Sequence, residues 1–163
     1  MSDFDPKTQR RDGLIYLNPP GRPETNKRRP TIPETRCLGA WLDKWGTDEP
    51  LLMFQGERVE SVKKALGRNA ALAGVQKFTP GSFRHFMATT VRRLCRNVSR
   101  EQRSLWMGHV VKEGSRTTDN YEAFDPEYLK DVADATDFVM DELQKKCQRQ
   151  IVLPSKDSIA RQS

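Results

Sequence analysis

Residues 79–109 read TPGSFRHFMATTVRRLCRNVSREQRSLWMGH. After Thr79-Pro80, apolar side chains recur at three- and four-residue spacing, which predicts an amphipathic helix. Ser99 and Gln102 then form the Ser-x-x-Gln signature of a capping box, and Gly108 is placed to end the short helix that follows. The expected buried stripe of the first helix consists of Phe83, Phe86, Met87, Val91 and Leu94. We therefore expect a mainly α-helical fold built around these two helices.

Upstream, the sequence predicts a β-hairpin. The apolar run 14–17 leads into Asn-Pro-Pro-Gly, which is typical of a strand entering a turn. Residues 29–33 can form the returning strand, and their two prolines favour an edge position. The tip of this hairpin is basic. The expected fold class is thus mainly α with a small β-hairpin or sheet.

Three more helices follow from helical spacing and end signals. One contains Trp41 and Trp45 and ends at Gly46, and both tryptophans are expected in the core. A second, over residues 59–70, ends before Gly74. The last starts at Asp125-Pro126, with Asp as N-cap and Pro in the first helical position. Its expected buried face comprises Leu129, Val132, Ala133, Thr136, Val139, Met140 and Leu143.

Composition limits the possible classes of function. The chain has 163 residues, and 28 basic against 22 acidic residues give a net charge of +6. No apolar run approaches the roughly 20 residues of a membrane-spanning helix, and the start is polar and acidic, unlike a secretory signal. The three cysteines lack metal-ligand spacing and are expected to be reduced thiols of a cytosolic protein. The positive charge makes a polyanion the first partner to consider.

The charges are distributed unevenly along the chain. Basic residues crowd the hairpin tip and the stretch 84–103, whereas residues 119–142 contain nine acidic residues and one lysine. This pattern indicates one face for a polyanion and another for water or a protein neighbour. The alternative is that the arginines are merely solvated on helix surfaces. The basic residues are Arg22, Lys27, Arg28, Arg29, Arg84, Arg92, Arg93, Arg96, Arg100 and Arg103.

Three polar features interrupt otherwise ordinary helices. They are Arg84-His85 near a helix start, Gly108-His109 at a helix end, and Tyr121 before the acidic helix. Each has a structural alternative: a surface arginine, a helix stop whose histidine complements the helix dipole, and a tyrosine that packs locally. Their order along the chain gives them more weight together than singly.

Four segments resemble those of tyrosine recombinases of the phage-integrase type. They occur in the order found in that family, and the resemblance as a whole covers the chain from about residue 14 to residue 143. The sequence from Asp125 to Leu129 also resembles the last helix of integrases. The four segments are Lys27-Arg28-Arg29-Pro30-Thr31-Ile32-Pro33, Thr79-Pro80-Gly81-Ser82-Phe83-Arg84-His85, Leu105-Trp106-Met107-Gly108-His109 and Thr117-Thr118-Asp119-Asn120-Tyr121.

The resemblance implies a role for each of these residues. Tyr121 would attack a DNA phosphorus and form a 3′-phosphotyrosyl bond, while Arg84 would bind the non-bridging oxygens. His109 would donate a hydrogen bond to the same phosphate or assist proton transfer, and Lys27 could protonate the leaving oxygen. No metal or other cofactor is implied. DNA phosphates would be bound by Arg28, Arg29, Arg92, Arg93 and Arg96.

The sequence also departs from the family pattern. Gly81 stands where a histidine is usual, three residues before Arg84, and Lys27 lies later in the hairpin than the usual lysine. The family's first active-site arginine lies upstream of the hairpin, and no segment of this sequence matches it. We therefore expect residues 1–147 to be a catalytic domain without its first active-site segment, with weak or absent catalysis by this chain alone. Residues 148–163 are expected to be an extended or disordered tail, whose apolar residues 151–153 could dock on a neighbouring protomer.

As a whole, the resemblance implies site-specific DNA recombination or integration on a phage or other mobile element. The expected partners are double-stranded DNA and three further copies in a synaptic homo-tetramer, with no membrane and no small-molecule substrate. The expected location is the bacterial cytoplasm, associated with the nucleoid. The main alternative is a decayed or truncated relative that binds DNA or partner protomers without cutting. A type IB topoisomerase fits the size and last helix less well, and a helical interaction module is the simplest alternative.

Overall fold

The structure is a computed structural model that describes residues 4–18, 21, 29–46, 53–55, 57–59, 61–76, 78–109 and 125–154. It is mainly helical with a small three-stranded antiparallel sheet, as the sequence predicts, and a separate two-stranded one that the sequence does not predict. The helices are Pro6–Gln9 (α1), Arg36–Trp45 (α2), Lys63–Leu72 (α3), Pro80–Leu94 (α4), Arg100–Trp106 (α5) and Lys130–Gln144 (α6), with a 3₁₀ turn at Pro126–Leu129. The strands are Arg10–Arg11 (β1), Leu14–Tyr16 (β2), Thr31–Pro33 (β3), Met53–Phe54 (β4) and Glu57–Arg58 (β5).

The predicted hairpin is confirmed as β2 and β3. The two strands pair antiparallel, with Ile15 opposite Ile32, and β3 lies at the edge of the sheet, as expected for its prolines. The sequence analysis missed β1, which pairs with the other side of β2. Asp12 and Gly13 join these strands with φ of 53° and 71°, the backbone that a two-residue Asp-Gly hairpin requires.

Helix α2 ends at Gly46, as its sequence predicts. Thr35 caps its first turn through a hydrogen bond from the Leu38 amide, and Gly46 ends it with φ of 76°. The expectation that both tryptophans lie in the core is wrong for Trp45, whose side chain is 48% exposed. Trp45 lies in the last turn, beyond the buried residues of α2, and stacks on Trp41 with 5.1 Å between ring centroids.

Helix α3 forms and ends before Gly74, as expected, with Ala70 buried and Leu72 82% exposed. The expected burial of the α4 stripe is wrong in part. On α4, Val91 is buried while Phe83 and Phe86 are 52% and 42% exposed. Helical spacing marks an apolar stripe on each helix, but the neighbouring elements cover only part of that stripe.

The core lies between α4, α5, the 3₁₀ turn and α6. It consists of Val91, Cys95, Val98, Leu105, Leu129, Val132, Ala135 and Val139. Ile32 of β3 packs against this cluster, so the sheet is joined to the helices. All three cysteines are free thiols, as expected, and burial raises the pKa of Cys37 and Cys95. Among the described residues, no helix is long and apolar enough to span a membrane.

The predicted capping box is confirmed and does more than cap α5. The Gln102 amide donates to Ser99 Oγ at 3.0 Å, and the Ser99 amide donates to Gln102 Oε1 at 2.8 Å. Gln102 Nε2 also donates to the Tyr128 carbonyl at 2.8 Å and to the Asp131 carboxylate at 3.2 Å. This buried side chain therefore joins α5 to the start of the last helix.

Part of the acidic charge of α6 is used inside the fold. The Asp137 carboxylate accepts from the backbone amides of Arg36 and Cys37, at 2.6 and 2.9 Å, and so caps α2 from a neighbouring helix. Asp141 accepts two hydrogen bonds from the guanidinium of Arg36, which raises the pKa of that arginine. The carboxylates of Asp137 and Asp141 thus stabilise the contact between α2 and α6.

The start of the tail is held by its own chain. Gln144 Oε1 accepts from the amides of Ile151 and Val152 at 2.6 and 2.9 Å, and Trp41 Nε1 donates to the Ile151 carbonyl at 2.9 Å. Residues 151–153 are half-buried, and residues 148–154 form no helix or strand. Residues 155–163 lie outside the described part of the chain.

Removing the Asp137 carboxylate is expected to destabilise the protein. Asp137→Ala leaves two amides at the N-terminus of α2 without their acceptor, which should lower the free energy of unfolding by about 1–2 kcal/mol. Asp134→Ala is the matched control, since Asp134 is 64% exposed and its ion pair is with Lys130 of the same helix. Its effect should stay within about 0.5 kcal/mol. Urea unfolding measures both, and equal losses would contradict the cross-helix cap.

Candidate nucleic-acid interface

Arg84 lies near the start of α4, with an exposed side chain. The helix starts at Thr79, whose amide donates to Ser82 Oγ at 3.0 Å. Pro80 occupies the first helical position, where its missing N–H removes no helical hydrogen bond. Arg84 is thus placed on the first turns of a capped helix, and Arg84 Nη2 donates to the backbone carbonyl of Met107.

His109 follows the turn that ends α5. Gly108 adopts φ of 68°, its amide donates to the Leu105 carbonyl at 2.8 Å, and the His109 amide donates to the Ser104 carbonyl at 2.9 Å. This pair of hydrogen bonds is the Schellman motif, which needs a left-handed residue at the position of Gly108. The turn fixes the backbone of His109 and leaves its side chain exposed.

The start of α4 and the end of α5 therefore meet at one corner of the molecule. The Arg84 guanidinium contacts Met107, which lies two residues before His109. A guanidinium has five N–H donors, and one bond to a carbonyl leaves others able to bind a phosphate oxygen. The structure thus brings Arg84 to the turn that carries His109.

The other arginines in and after α4 lie on different sides of the helix. At about 100° per residue, Arg92 lies about 80° around the helix from Arg84, whereas Arg93 lies about 180° away, on the opposite side. Arg96 follows the helix in the turn before Ser99, and these three arginines are exposed. Helix α4 contains no acidic residue, so none of its own side chains neutralises this charge.

Gly81 leaves room for a side chain. It is exposed, and a Cβ atom placed there would meet only Thr79 Oγ1, at 3.5 Å, within 4 Å. The departure from the usual histidine is therefore not imposed by crowding at this position.

Three of the predicted site residues, Lys27, Arg28 and Tyr121, lie outside the described residues, so their roles stay predictions. Arg29 directly precedes Pro30 and β3 and is half-buried. Its Nη1 is buried with no hydrogen-bond partner in the described part of the chain. The structure therefore places Arg29 differently from the exposed arginines of α4.

Both ends of the segment that contains Tyr121 are held by α5. The segment follows His109 at the end of α5 and leads to Asp125 before the 3₁₀ turn. The hydrogen bond from Gln102 to the Tyr128 carbonyl ties that turn to α5, and Tyr128 Oη donates to Glu101 at 3.1 Å. Helix α5 thus connects the corner at Arg84 with the start of the last helix.

Sequence reasoning missed two residues of this arrangement. The Met107 carbonyl is a backbone acceptor and has no side-chain signature; only the helix stop at Gly108 indicates that free carbonyls occur there. The hydrogen bonds from Gln102 to the last helix were missed because the capping box accounts for the Oε1 atom of that side chain but not for its Nε2 atom.

Among the described residues, no group of three or more His, Cys, Asp or Glu side chains is placed to hold a metal ion. Comparisons with protein-family models, with curated proteins and with solved structures found no match. The arrangement described above therefore carries the functional argument.

Replacing glycine by alanine is expected to have opposite effects on stability at Gly81 and at Gly39. Gly81→Ala should raise the free energy of unfolding by about 0.5 kcal/mol, because alanine favours a helix and the space is open. At Gly39 a Cβ atom would overlap the Glu34 carboxylate, which the Arg10 guanidinium holds at 2.7 Å. Gly39→Ala should therefore lower the free energy of unfolding by about 1–3 kcal/mol. Thermal unfolding of both variants tests this, and a loss of stability in Gly81→Ala would contradict the open space at Gly81.

Proposed function

We propose that this chain is the catalytic part of a tyrosine-type DNA recombinase, which cuts and rejoins DNA through a 3′-phosphotyrosyl intermediate. One observation supports the proposal most: the Arg84 guanidinium contacts the turn that leads to His109. These two residues come from separate sequence segments, and a phosphate group needs both a guanidinium and an imidazole within reach for this reaction.

The chemistry assigns one task to each group. The phenolic oxygen of Tyr121 releases its proton to water and attacks the phosphorus, the bond from phosphorus to the 5′ oxygen breaks, and a 5′-hydroxyl leaves. Arg84 and the His109 imidazole donate hydrogen bonds to the non-bridging oxygens, whose charge changes in the transition state. Lys27 gives a proton to the leaving oxygen. Because the phosphotyrosyl bond keeps the energy of the phosphodiester, rejoining needs no nucleotide cofactor.

Chain length is compatible with this role of Tyr121. Tyr121 precedes Asp125 by four residues, which span at most about 14 Å when extended. Asp125 starts the 3₁₀ turn that Gln102 ties to α5, the helix whose far end contacts Arg84. Helix α5, with seven residues and a length of about 10 Å, therefore separates the 3₁₀ turn from the contact with Arg84.

The charge distribution supports a DNA substrate. Helix α4 carries Arg84 and Arg92 about 80° apart around its axis, and it contains no carboxylate. Exposed arginines bind backbone phosphates without reading sequence, so they would position the duplex at the reactive corner.

Trapping the intermediate tests the proposal. The full-length protein, incubated with a suicide substrate of its own site, is expected to form a covalent complex linked through Tyr121. Tyr121→Phe should abolish the complex while leaving DNA affinity within about twofold, because a phenyl ring keeps the shape but has no nucleophile. Denaturing gels and peptide mapping detect the bond. A complex that persists in Tyr121→Phe would contradict the assignment.

A DNA-binding protein that does not cut is the second candidate, and Gly81 favours it because the usual imidazole is missing there. The trapping experiment separates the two functions. Salt-dependent DNA binding without a covalent complex would support the second candidate.

Arg92 and Arg93 are expected to differ in DNA binding, although they are neighbours in sequence and both exposed. Arg92 lies closer to the side of Arg84, so Arg92→Ala should reduce the slope of log affinity against log salt by about 1. Arg93→Ala should leave the slope unchanged, since Arg93 lies on the opposite side of α4. Filter binding at several salt concentrations measures both slopes. A larger effect of Arg93→Ala would contradict this orientation of DNA.

A further inference from the structure

Both histidines of the chain lie at the corner where α4 and α5 meet. The chain has two histidines, His85 and His109. His109 lies two residues after Met107, whose carbonyl accepts the hydrogen bond from Arg84, and His85 comes directly after Arg84. The reaction assigned above uses Arg84 and His109 and gives no task to His85, whose side chain is exposed.

His85 lies on the outer side of α4, next to an open part of the helix surface. At about 100° per residue, it lies about 140° and 120° around the axis from the buried residues Thr90 and Val91. One turn earlier is Gly81, where a Cβ atom would meet only Thr79 Oγ1 within 4 Å. Side chains on a helix lean towards its N-terminus, so the His85 imidazole is directed towards the exposed backbone of Gly81.

Arg84 and His85 lie on either side of this open patch. Around α4, Arg84 lies about 60° to one side of Gly81, and His85 lies about 40° to the other side. The four residues from Gly81 to His85 rise about 6 Å along the axis, which an imidazole side chain and a hydrogen bond of about 2.9 Å cover together. A phosphate at this patch is therefore within reach of both a guanidinium and an imidazole.

The same side of α4 continues along the helix to Arg92. Arg92 lies two turns after His85 and about 20° from it around the axis, and its side chain is exposed. A duplex whose backbone is bound by Arg84 and Arg92 therefore passes over His85. Helix α4 has no carboxylate of its own that could pair with the imidazole.

We propose that His85 is a further catalytic residue, which donates a hydrogen bond to a non-bridging oxygen of the scissile phosphate at this patch. The inference rests on the proposed recombinase function. A neutral imidazole carries one N–H group and an imidazolium carries two, so His85 can donate in either form. The hydrogen bond acts on oxygens whose charge changes in the transition state, and it adds no covalent step to the reaction.

The experiment moves the imidazole along α4 and measures how fast the full-length protein forms the covalent complex with its suicide substrate. His85→Ala removes the donor and should slow complex formation about 100-fold or more. Its DNA affinity should stay within about threefold of the wild type, because many other phosphate contacts remain. Gly81→His puts an imidazole back beside Arg84, three residues before it. It should therefore speed up the His85→Ala protein at least about tenfold more than it speeds up the wild type.

Thr89→His in the His85→Ala protein is the matched control. Thr89 is exposed and lies one turn after His85, so this variant moves the imidazole away from Arg84 and should not restore the rate. Circular dichroism should show the same helix content in all variants, as the replaced residues are exposed.

Two failures can be told apart. The inference about His85 is overturned, and the proposed function stands, when His85→Ala reacts as fast as the wild type. The same holds when Gly81→His has equal effects with and without His85, or rescues no better than Thr89→His. A wild-type protein that forms no covalent complex overturns the proposed function and the role of His85 together.

Discussion

The contact between Arg84 and the end of α5 depends on the hydrogen bonds of one buried side chain, Gln102. This residue is 5% exposed and bonds to Ser99, the Tyr128 carbonyl and Asp131. Helix α5 has only seven residues, too few to be stable alone in water. The bonds of Gln102, together with the burial of Leu105, therefore hold α5 against α6. Since α6 also packs on α4, the contacts between α5 and α6 determine where the end of α5 meets Arg84.

Element ends could be predicted where a side chain or a glycine has a specific local task. Ser99, Asp125 and Gly46 each end or begin a helix where the sequence indicates. Burial could not be predicted equally well, because periodicity shows which side of a helix is apolar but not which neighbour covers it. Trp45 and Phe83 are exposed for this reason. The two-residue strands β1, β4 and β5 are too short to give a periodic pattern.

The candidate site also combines features that could be predicted from the sequence with features that could not. Arg84 and His109 could be selected from the sequence because each stands beside a helix-end signal and within a family-like segment. The hydrogen bond from Arg84 to Met107, which brings Arg84 close to His109, could not be predicted. It depends on a backbone carbonyl and on the packing of three helices. The cap of α2 by Asp137 is similar: its two partners lie about one hundred residues earlier in the chain. Long-range contacts of this kind have no local signature.

A nitroxide distance measurement tests the convergence of α4 and α5 most directly. Labels at Gly81→Cys and His109→Cys would flank the corner without removing Arg84, in a background where the exposed Cys147 is replaced by serine. Convergence of the two helix ends predicts one narrow distance peak below about 25 Å, given the reach of the Arg84 side chain and of the two residues from Met107 to His109. A peak near 40 Å, about the diameter of a domain of this size, would place the two helix ends on opposite sides and contradict their convergence.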